Sequence, residues 1–157
     1  MIRPARPEDK DAIVAVHRAA FGNEDGVRVV TLVPPVVSLV WKESGEVVGH
    51  VMLCHVDLEG TPVLQLSPLG VAPAHQGRGI GSALTREVLR LADDAGAPFV
   101  VILGHPEYYP RFGFEPATPL GLLPPNPDWD AAWMVRKLSA YDPALRGQVT
   151  FPPAFDA

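Results

Sequence analysis

The residues best suited to chemistry lie between Leu69 and Leu84, which read Leu-Gly-Val-Ala-Pro-Ala-His-Gln-Gly-Arg-Gly-Ile-Gly-Ser-Ala-Leu. An apolar run (Val63, Leu64, Leu66, Leu69, Val71) ends at Pro73, a turn carrying Gln76, Gly77, Gly79 and Gly81 follows, and a periodic apolar pattern starts at Ile80. Strand, glycine turn and helix in that order build a phosphate cradle. The first amides of the helix have no intrahelical acceptor, the helix dipole adds partial positive charge, and glycine lets a ligand approach the backbone closely. Arg78 adds a full charge in the same turn. The chemistry expected is anion binding, for a diphosphate. A dinucleotide fingerprint needs Gly-x-Gly-x-x-Gly, but Gly77, Gly79 and Gly81 alternate and position 82 is serine. A P-loop needs a lysine after its last glycine, and none stands here. What remains is Gln-x-x-Gly-x-Gly at Gln76, Gly79 and Gly81.

The elements that must hold this turn can be read from pattern. Ile80, Leu84, Val88, Leu91 and Ala95 form one helical stripe, with Arg86, Glu87, Arg90, Asp93 and Asp94 on the other side and Gly96 as the stop. The strand before the turn is expected over 61–71. Phe99–Leu103 is a continuous apolar run, the mark of a strand buried on both faces. Strand, helix, strand across 62–103 makes those two strands parallel, and ligands in such sheets bind at the strands' carboxyl ends. Upstream, residues 1–5 suit a short edge strand, and Pro7, Glu8 and Asp9 open a helix carrying Ile13, Val16, His17 and Ala20 to a stop near Gly22. This spacing sets His17 on the helix surface or the edge of the core. A second, shorter helix is expected over 24–33. Strands over 36–41 and 46–57 meet at Ser44-Gly45, and the next turn is Glu59-Gly60. A brief helix is expected over 107–112 and a last strand over 131–138.

A second segment follows the buried strand: His105-Pro-Glu-Tyr-Tyr-Pro-Arg-Phe-Gly-Phe114. Gln-x-x-Gly-x-Gly at a helix start, then a strand, then Tyr-x-x-x-Gly-Phe (Tyr109, Gly113, Phe114) resembles the GNAT superfamily of acyl-CoA-dependent N-acetyltransferases. Tyr108, Tyr109, Arg111, Phe112, Gly113 and Phe114 together are similar to its YhbS-like branch, and Ile-Arg-Pro-Ala before an acidic helix start also looks like GNAT. The resemblance spans residues 1–138, taken as one domain, with 139–157 as a proline-containing extension. It implies an α/β (α+β) GNAT fold, a mixed six- to seven-stranded sheet with a central parallel pair and about four helices. It implies that acetyl-CoA is the co-substrate, with the backbone of Leu69, Gly70 and Val71 pairing with the pantetheine arm. The turn residues Gln76, Gly77, Arg78, Gly79, Ile80, Gly81 and Ser82 would hold the pyrophosphate. Tyr109 matches the tyrosine that protonates the departing CoA thiolate.

Elementary chemistry agrees with that role. Direct transfer from a thioester needs a free amine, support for the oxyanion and a proton for sulfur. A phenol of pKa about 10 is protonated at neutral pH and available to a thiolate of about 8.5. The base is less visible. Family members commonly carry a glutamate on the strand before the cradle, where this chain offers Gln65 and Ser67; His105, Glu107, His55, Asp57, Glu24 and a water relay are the other candidates. Phe112 and Phe114 read as core and Arg111 as a solvated arginine. Trp129 and Trp133 suit either an acceptor pocket or core packing.

Composition sets the limits. With 157 residues, 47% apolar and 20% charged, the chain suits one soluble domain with a substantial core. A net charge of −5 argues against nucleic acid as a partner. No apolar run nears the roughly 20 residues of a membrane helix, and the start lacks a signal-peptide core. A single cysteine, Cys54, in an apolar strand reads as a buried structural thiol and suits a reducing, cytoplasmic setting. The histidines (17, 50, 55, 75, 105) lack metal-ligand spacing, so no metal is expected. Ten of the 18 prolines stand from Pro106 onward, predicting a loop-rich last third. The partner expected is a small-molecule or peptide amine, and the resemblance allows a homodimer. An acyl-CoA-binding or sensing module without turnover is the rival reading.

Overall fold

Three short sequence signals decide where the chain reverses. Ser44-Gly45 and Glu59-Gly60 both hold paired positive φ angles (51° and 81°; 46° and 92°), the left-handed pair that matches strand twist in a two-residue hairpin. Gly22, at φ 68°, caps the first helix by giving its N–H to Arg18 C=O. A computed structural model of the chain describes residues 1–155 and divides them into two compact units. Strands β3 (Glu46–Leu58) and β4 (Thr61–Val71) and helix α3 (Ile80–Asp94) pass from one unit to the other along the chain.

The first unit holds residues 1–54, 66–88 and the turn Pro153–Phe155. Its strands are β1 (Ile2–Pro4), β2 (Pro35–Glu43), the first part of β3 and the end of β4, with β1–β2 and β2–β3 antiparallel. Helices α1 (Lys10–Phe21) and α2 (Asp25–Leu32) precede β2. Ile13, Val16 and His17 are the buried face of α1, so the histidine expected at the surface or core edge is instead fully enclosed. Val29 and Val33 pack on Met52 and Cys54, joined by Phe155. Against β3, α3 approaches closely: a Cβ on Gly49 would meet Ile80 Cγ2 at 3.0 Å and Leu84 at 3.1 Å, so glycine sets that helix–sheet spacing.

The start of α1 is tied to β1 by Asp9. Its carboxylate accepts from both terminal nitrogens of Arg3 (2.6 and 2.9 Å) and from the Arg6 amide (2.8 Å). The Arg3 guanidinium, with help from the Arg6 amide, lowers the Asp9 pKa to about 2. Asp9→Ala removes three charge-assisted bonds and is expected to lower stability by roughly 1–2 kcal/mol, read as a shifted urea midpoint at unchanged slope.

The second unit holds residues 55–65 and 89–152. Here the first residues of β4 pair with β5 (Phe99–Leu103) in parallel, Leu64 opposite Val100 and Gln65 opposite Val101. An antiparallel partner, β8 (Trp133–Lys137), lies along the whole of β5, and β6 (Glu115–Pro116) pairs with β8. Phe99, Val100, Val101 and Ile102 are all buried, as the unbroken apolar run required. The proline-rich stretch carries short elements: β7 (Leu122–Leu123) and β9 (Gly147–Thr150) pair in parallel, and β9 adds antiparallel to the end of β3. The segment beyond 138 thus contributes a strand. Trp133 is a core residue, 1% exposed, with its indole N–H given to Leu122 C=O at 2.9 Å. Trp129 stacks on Phe151.

Candidate active site

In the first unit, the end of β4 delivers the chain into the glycine turn. Leu69 and Val71 are half-buried and Gly70 is buried. The Ala72 amide bonds Val48 C=O at 2.8 Å, then Pro73–His75 makes one 3-10 turn. The Gln76 side-chain amide turns back to Val71 C=O at 2.9 Å and braces the turn from within. Gly77 (φ 77°) and Gly79 (φ 82°) take left-handed conformations, and a Cβ on either would find nothing within 4 Å. Backbone conformation, not crowding, therefore demands glycine at both positions. The first bond of α3 runs from Ala83 N–H to Gly79 C=O, so the amides of Ile80 and Gly81 precede the helix's own ladder and stand at its positive end. Gln76, Gly77, Arg78 and Gly79 are all exposed. The Arg78 guanidinium holds both carboxylate oxygens of Glu43 at 3.1 Å, and His75 Nε2 lies 3.6 Å from the same carboxylate. This turn can receive an anion on backbone N–H groups, with Arg78 standing beside it.

In the second unit, β5 leads into Gly104, and the chain turns through Tyr109–Phe112 to Gly113 (φ 88°). Tyr109 is 8% exposed, and its ring lies so close to Gly104 that an added Cβ would stand 2.5 Å from it. Tyr108, Phe112 and Phe114 pack around that ring at centroid distances of 5.0, 6.2 and 5.7 Å. Burial, with Tyr108 adding to it, pushes the Tyr109 hydroxyl above the ordinary phenol range, so it keeps its proton at neutral pH. Phe112 and Phe114 are core residues; Arg111 stays on the surface, over the Tyr108 ring.

Of the base candidates, His55, His105 and Glu107 are exposed, Glu24 is paired with Arg18, and Asp57 accepts from the Gly60 amide. Gln65 is 2% exposed, and its Oε1 lacks a hydrogen-bond partner. Burial pushes the Cys54 thiol up to about 12, which removes it as a nucleophile. Among the described residues, no group of three metal-ligating side chains could hold an ion, and no helix is long and apolar enough to cross a membrane.

One polar constellation escaped the sequence. His17 Nε2 lies 2.8 Å from His50 Nδ1, and His50 Nε2 lies 2.8 Å from Ser38 Oγ. Both rings are buried, and burial lowers their pKa values to about 4 for His17 and about 3 for His50, where the neighbouring His17 also contributes. An alternating strand and an amphipathic helix each give a histidine no sign of which face it takes.

A strand that pairs in parallel with the next and runs through a glycine turn into a helix is a built place for an anionic ligand. The chain matches the acetyltransferase (GNAT) domain over residues 1–117. It is 36% identical over 123 residues to the uncharacterized N-acetyltransferase YjhQ of Escherichia coli, covering 73% of this chain and 68% of YjhQ. To E. coli YhbS, another uncharacterized N-acetyltransferase, it is 31% identical, covering 94% and 91%. The crystal structure of E. coli YhbS with CoA superposes with a TM-score of 0.92 at 29% identity, covering 100% of this chain and 92% of that one. A GNAT acetyltransferase from Brucella melitensis bound to acetyl-CoA gives 0.81 at 34% identity, covering 99% and 97%. The chain belongs to the GNAT family and is an acyl-CoA-dependent N-acetyltransferase.

Proposed function

We propose that this chain transfers the acetyl group of acetyl-CoA directly to a primary amine of a small molecule or peptide. The observation that carries the donor side is the braced turn with left-handed Gly77 and Gly79 opening α3. In this reading the amides from Gln76 to Ser82, with Arg78 beside them, hold the pyrophosphate, as a helix start holds anions generally. The backbone of Leu69, Gly70 and Val71 pairs with the pantetheine arm as an added strand would. Tyr109, kept protonated by its apolar surroundings, gives the leaving sulfur its proton. The solved complexes of YhbS with CoA and of the Brucella protein with acetyl-CoA support the choice of donor.

Thermal shift tests the donor. Acetyl-CoA and CoA at about 100 times Kd should stabilise the protein by about 2.7 kcal/mol, whereas ATP and NAD should not. Preferential stabilisation by ATP or NAD would sink the assignment. One observation favours a second reading: a buried amide, Gln65, occupies the strand where a carboxylate base is common. A binding or sensing module would keep the cradle without turnover. Thiol release from acetyl-CoA across a panel of amines separates the two.

A further inference from the structure

Glu43 occupies an anion's place beside the glycine turn. It is the last residue of β2, at the Ser44-Gly45 hairpin, and its carboxylate meets Arg78 across 35 residues. Both residues belong to the first unit, as does His75. Nη1 and Nη2 of Arg78 each reach one carboxylate oxygen at 3.1 Å, a two-pronged contact that the paired oxygens of a phosphate match equally well. This pair is looser than others in the same unit. Arg18 holds Glu24 through two bonds of 2.7 Å, and Arg3 holds Asp9 at 2.6 and 2.9 Å. Charge-assisted bonds of this kind settle at about 2.7–2.9 Å, so two distances of 3.1 Å mark contact without full engagement.

The backbone at Arg78 is set between left-handed Gly77 and Gly79, in a turn braced by the Gln76 side chain. Glu43 is set by its register opposite Glu46 in the hairpin. The part free to move is the arginine side chain, 54% exposed on its long stem. His75 Nε2 lies 3.6 Å from Glu43 Oε2, just outside hydrogen-bond reach, so the carboxylate keeps a neighbour when Arg78 turns away. A carboxylate beside a turn built for an anion opposes that anion by like charge, and it neutralises the guanidinium that the turn contributes. We propose that Glu43 is a specificity-determining residue for the acyl donor: it fills the Arg78 fork in the free protein, and a phosphate of the donor takes its place. This role rests on the acetyl-CoA reading and concerns how that site chooses among acyl carriers. Nothing covalent changes; one charge-assisted contact is exchanged for another. An exposed ion pair is worth at most about a fivefold effect, so a phosphate with its stronger acceptor oxygens can displace the carboxylate. A thioester on an uncharged arm offers no replacement, binds with Arg78 still neutralised, and draws nothing from it.

The test is a double-mutant cycle on acetyl-CoA binding, measured by calorimetry at low ionic strength with wild type, Glu43→Gln, Arg78→Gln and the double variant. Glutamine is nearly isosteric with glutamate, so the hairpin keeps its shape. Glu43→Gln should tighten acetyl-CoA binding by about two- to fivefold, the effect of removing one exposed competitor. Arg78→Gln should weaken binding. In the Arg78→Gln background, Glu43→Gln should give less than half of that gain on a logarithmic scale, because the fork it competes for is gone. S-acetylpantetheine, which carries no phosphate, should bind all four proteins alike. Unchanged or weaker binding in Glu43→Gln overturns the role, since Glu43 then braces Arg78 instead of competing for it. Half or more of the gain surviving without Arg78 also overturns it, since the carboxylate then acts only as a general negative field. So does unchanged binding in Arg78→Gln, or a Glu43-dependent difference with S-acetylpantetheine. A wild type that fails to bind acetyl-CoA is a separate result, and removes the donor reading itself.

Discussion

Tyr109→Phe is expected to lower kcat by ~10²–10⁴-fold, the range for loss of a positioned general acid, with acetyl-CoA affinity nearly intact. The substitution deletes one oxygen and keeps the ring, so the packing against Gly104, Phe112 and Phe114 survives. The melting temperature should therefore stay close to wild type, and the loss should fall on kcat rather than on folding. Burial raises the hydroxyl's pKa, which holds the proton at neutral pH but makes the phenol a weaker acid. That weakness is offset when the thiolate is drawn into the same apolar surroundings, because desolvation raises thiolate basicity as well. A second result follows from the sign of the shift. Since ionisation of Tyr109 is moved above the ordinary phenol range, no loss of activity from that group should occur below about pH 10. Steady-state kinetics with an identified amine, together with CoA titration, checks both statements. Turnover equal to wild type in the phenylalanine variant would take Tyr109 out of the mechanism.

The parts legible in sequence are those governed by local rules. Strands over 61–71 and 99–103 agree to the residue because sharp stops bound them: Glu59-Gly60 and Pro73 for one, Pro98 and Gly104 for the other. The glycine turn is legible for the same reason, since positive φ at Gly77 and Gly79 is a property that residue type announces. Strand β9 is not legible: Gly-Gln-Val-Thr has no apolar alternation, and its partners are Leu122–Leu123 and Asp57–Leu58, far away in the chain. The His17–His50–Ser38 chain is hidden by the same kind of distance. His17 meets His50 across 33 residues, and His50 meets Ser38 across 12. Helical spacing places His17 next to the apolar stripe of α1, but whether it faces water or core depends on α1 covering β3 and β4. Gly70 reads in sequence as a backbone position for a ligand; its second role, making room for His17, shows only when α1 is packed.

Stability should fall steeply on mild acidification, by about 3 kcal/mol between pH 6.5 and pH 5. Two histidines are responsible. Unfolded, each takes up a proton near pH 6.5; folded, burial depresses the pKa to about 4 for His17 and about 3 for His50. In that window the unfolded chain binds more protons than the folded one, so stability rises with pH and is lost as pH falls. The contribution is fully present above pH 6.5 and declines down to the folded-state values. No carboxylate offsets this: burial is the cause at His17, and at His50 burial is joined by the charge of His17 itself. Their polar and ring contacts are each other, Ser38 and Phe21, none of which supplies a negative charge to a protonated ring. Asp9 acts later, since a carboxylate held at about 2 loses its contribution only below about pH 4. Urea unfolding at pH 7, 6 and 5 measures the slope directly. In a His17→Gln, His50→Gln double variant the loss over that window should shrink by at least half, even if its stability at pH 7 is lower. A wild-type midpoint that stays flat from pH 7 to pH 5 would mean the two rings are charged or solvated in the folded protein.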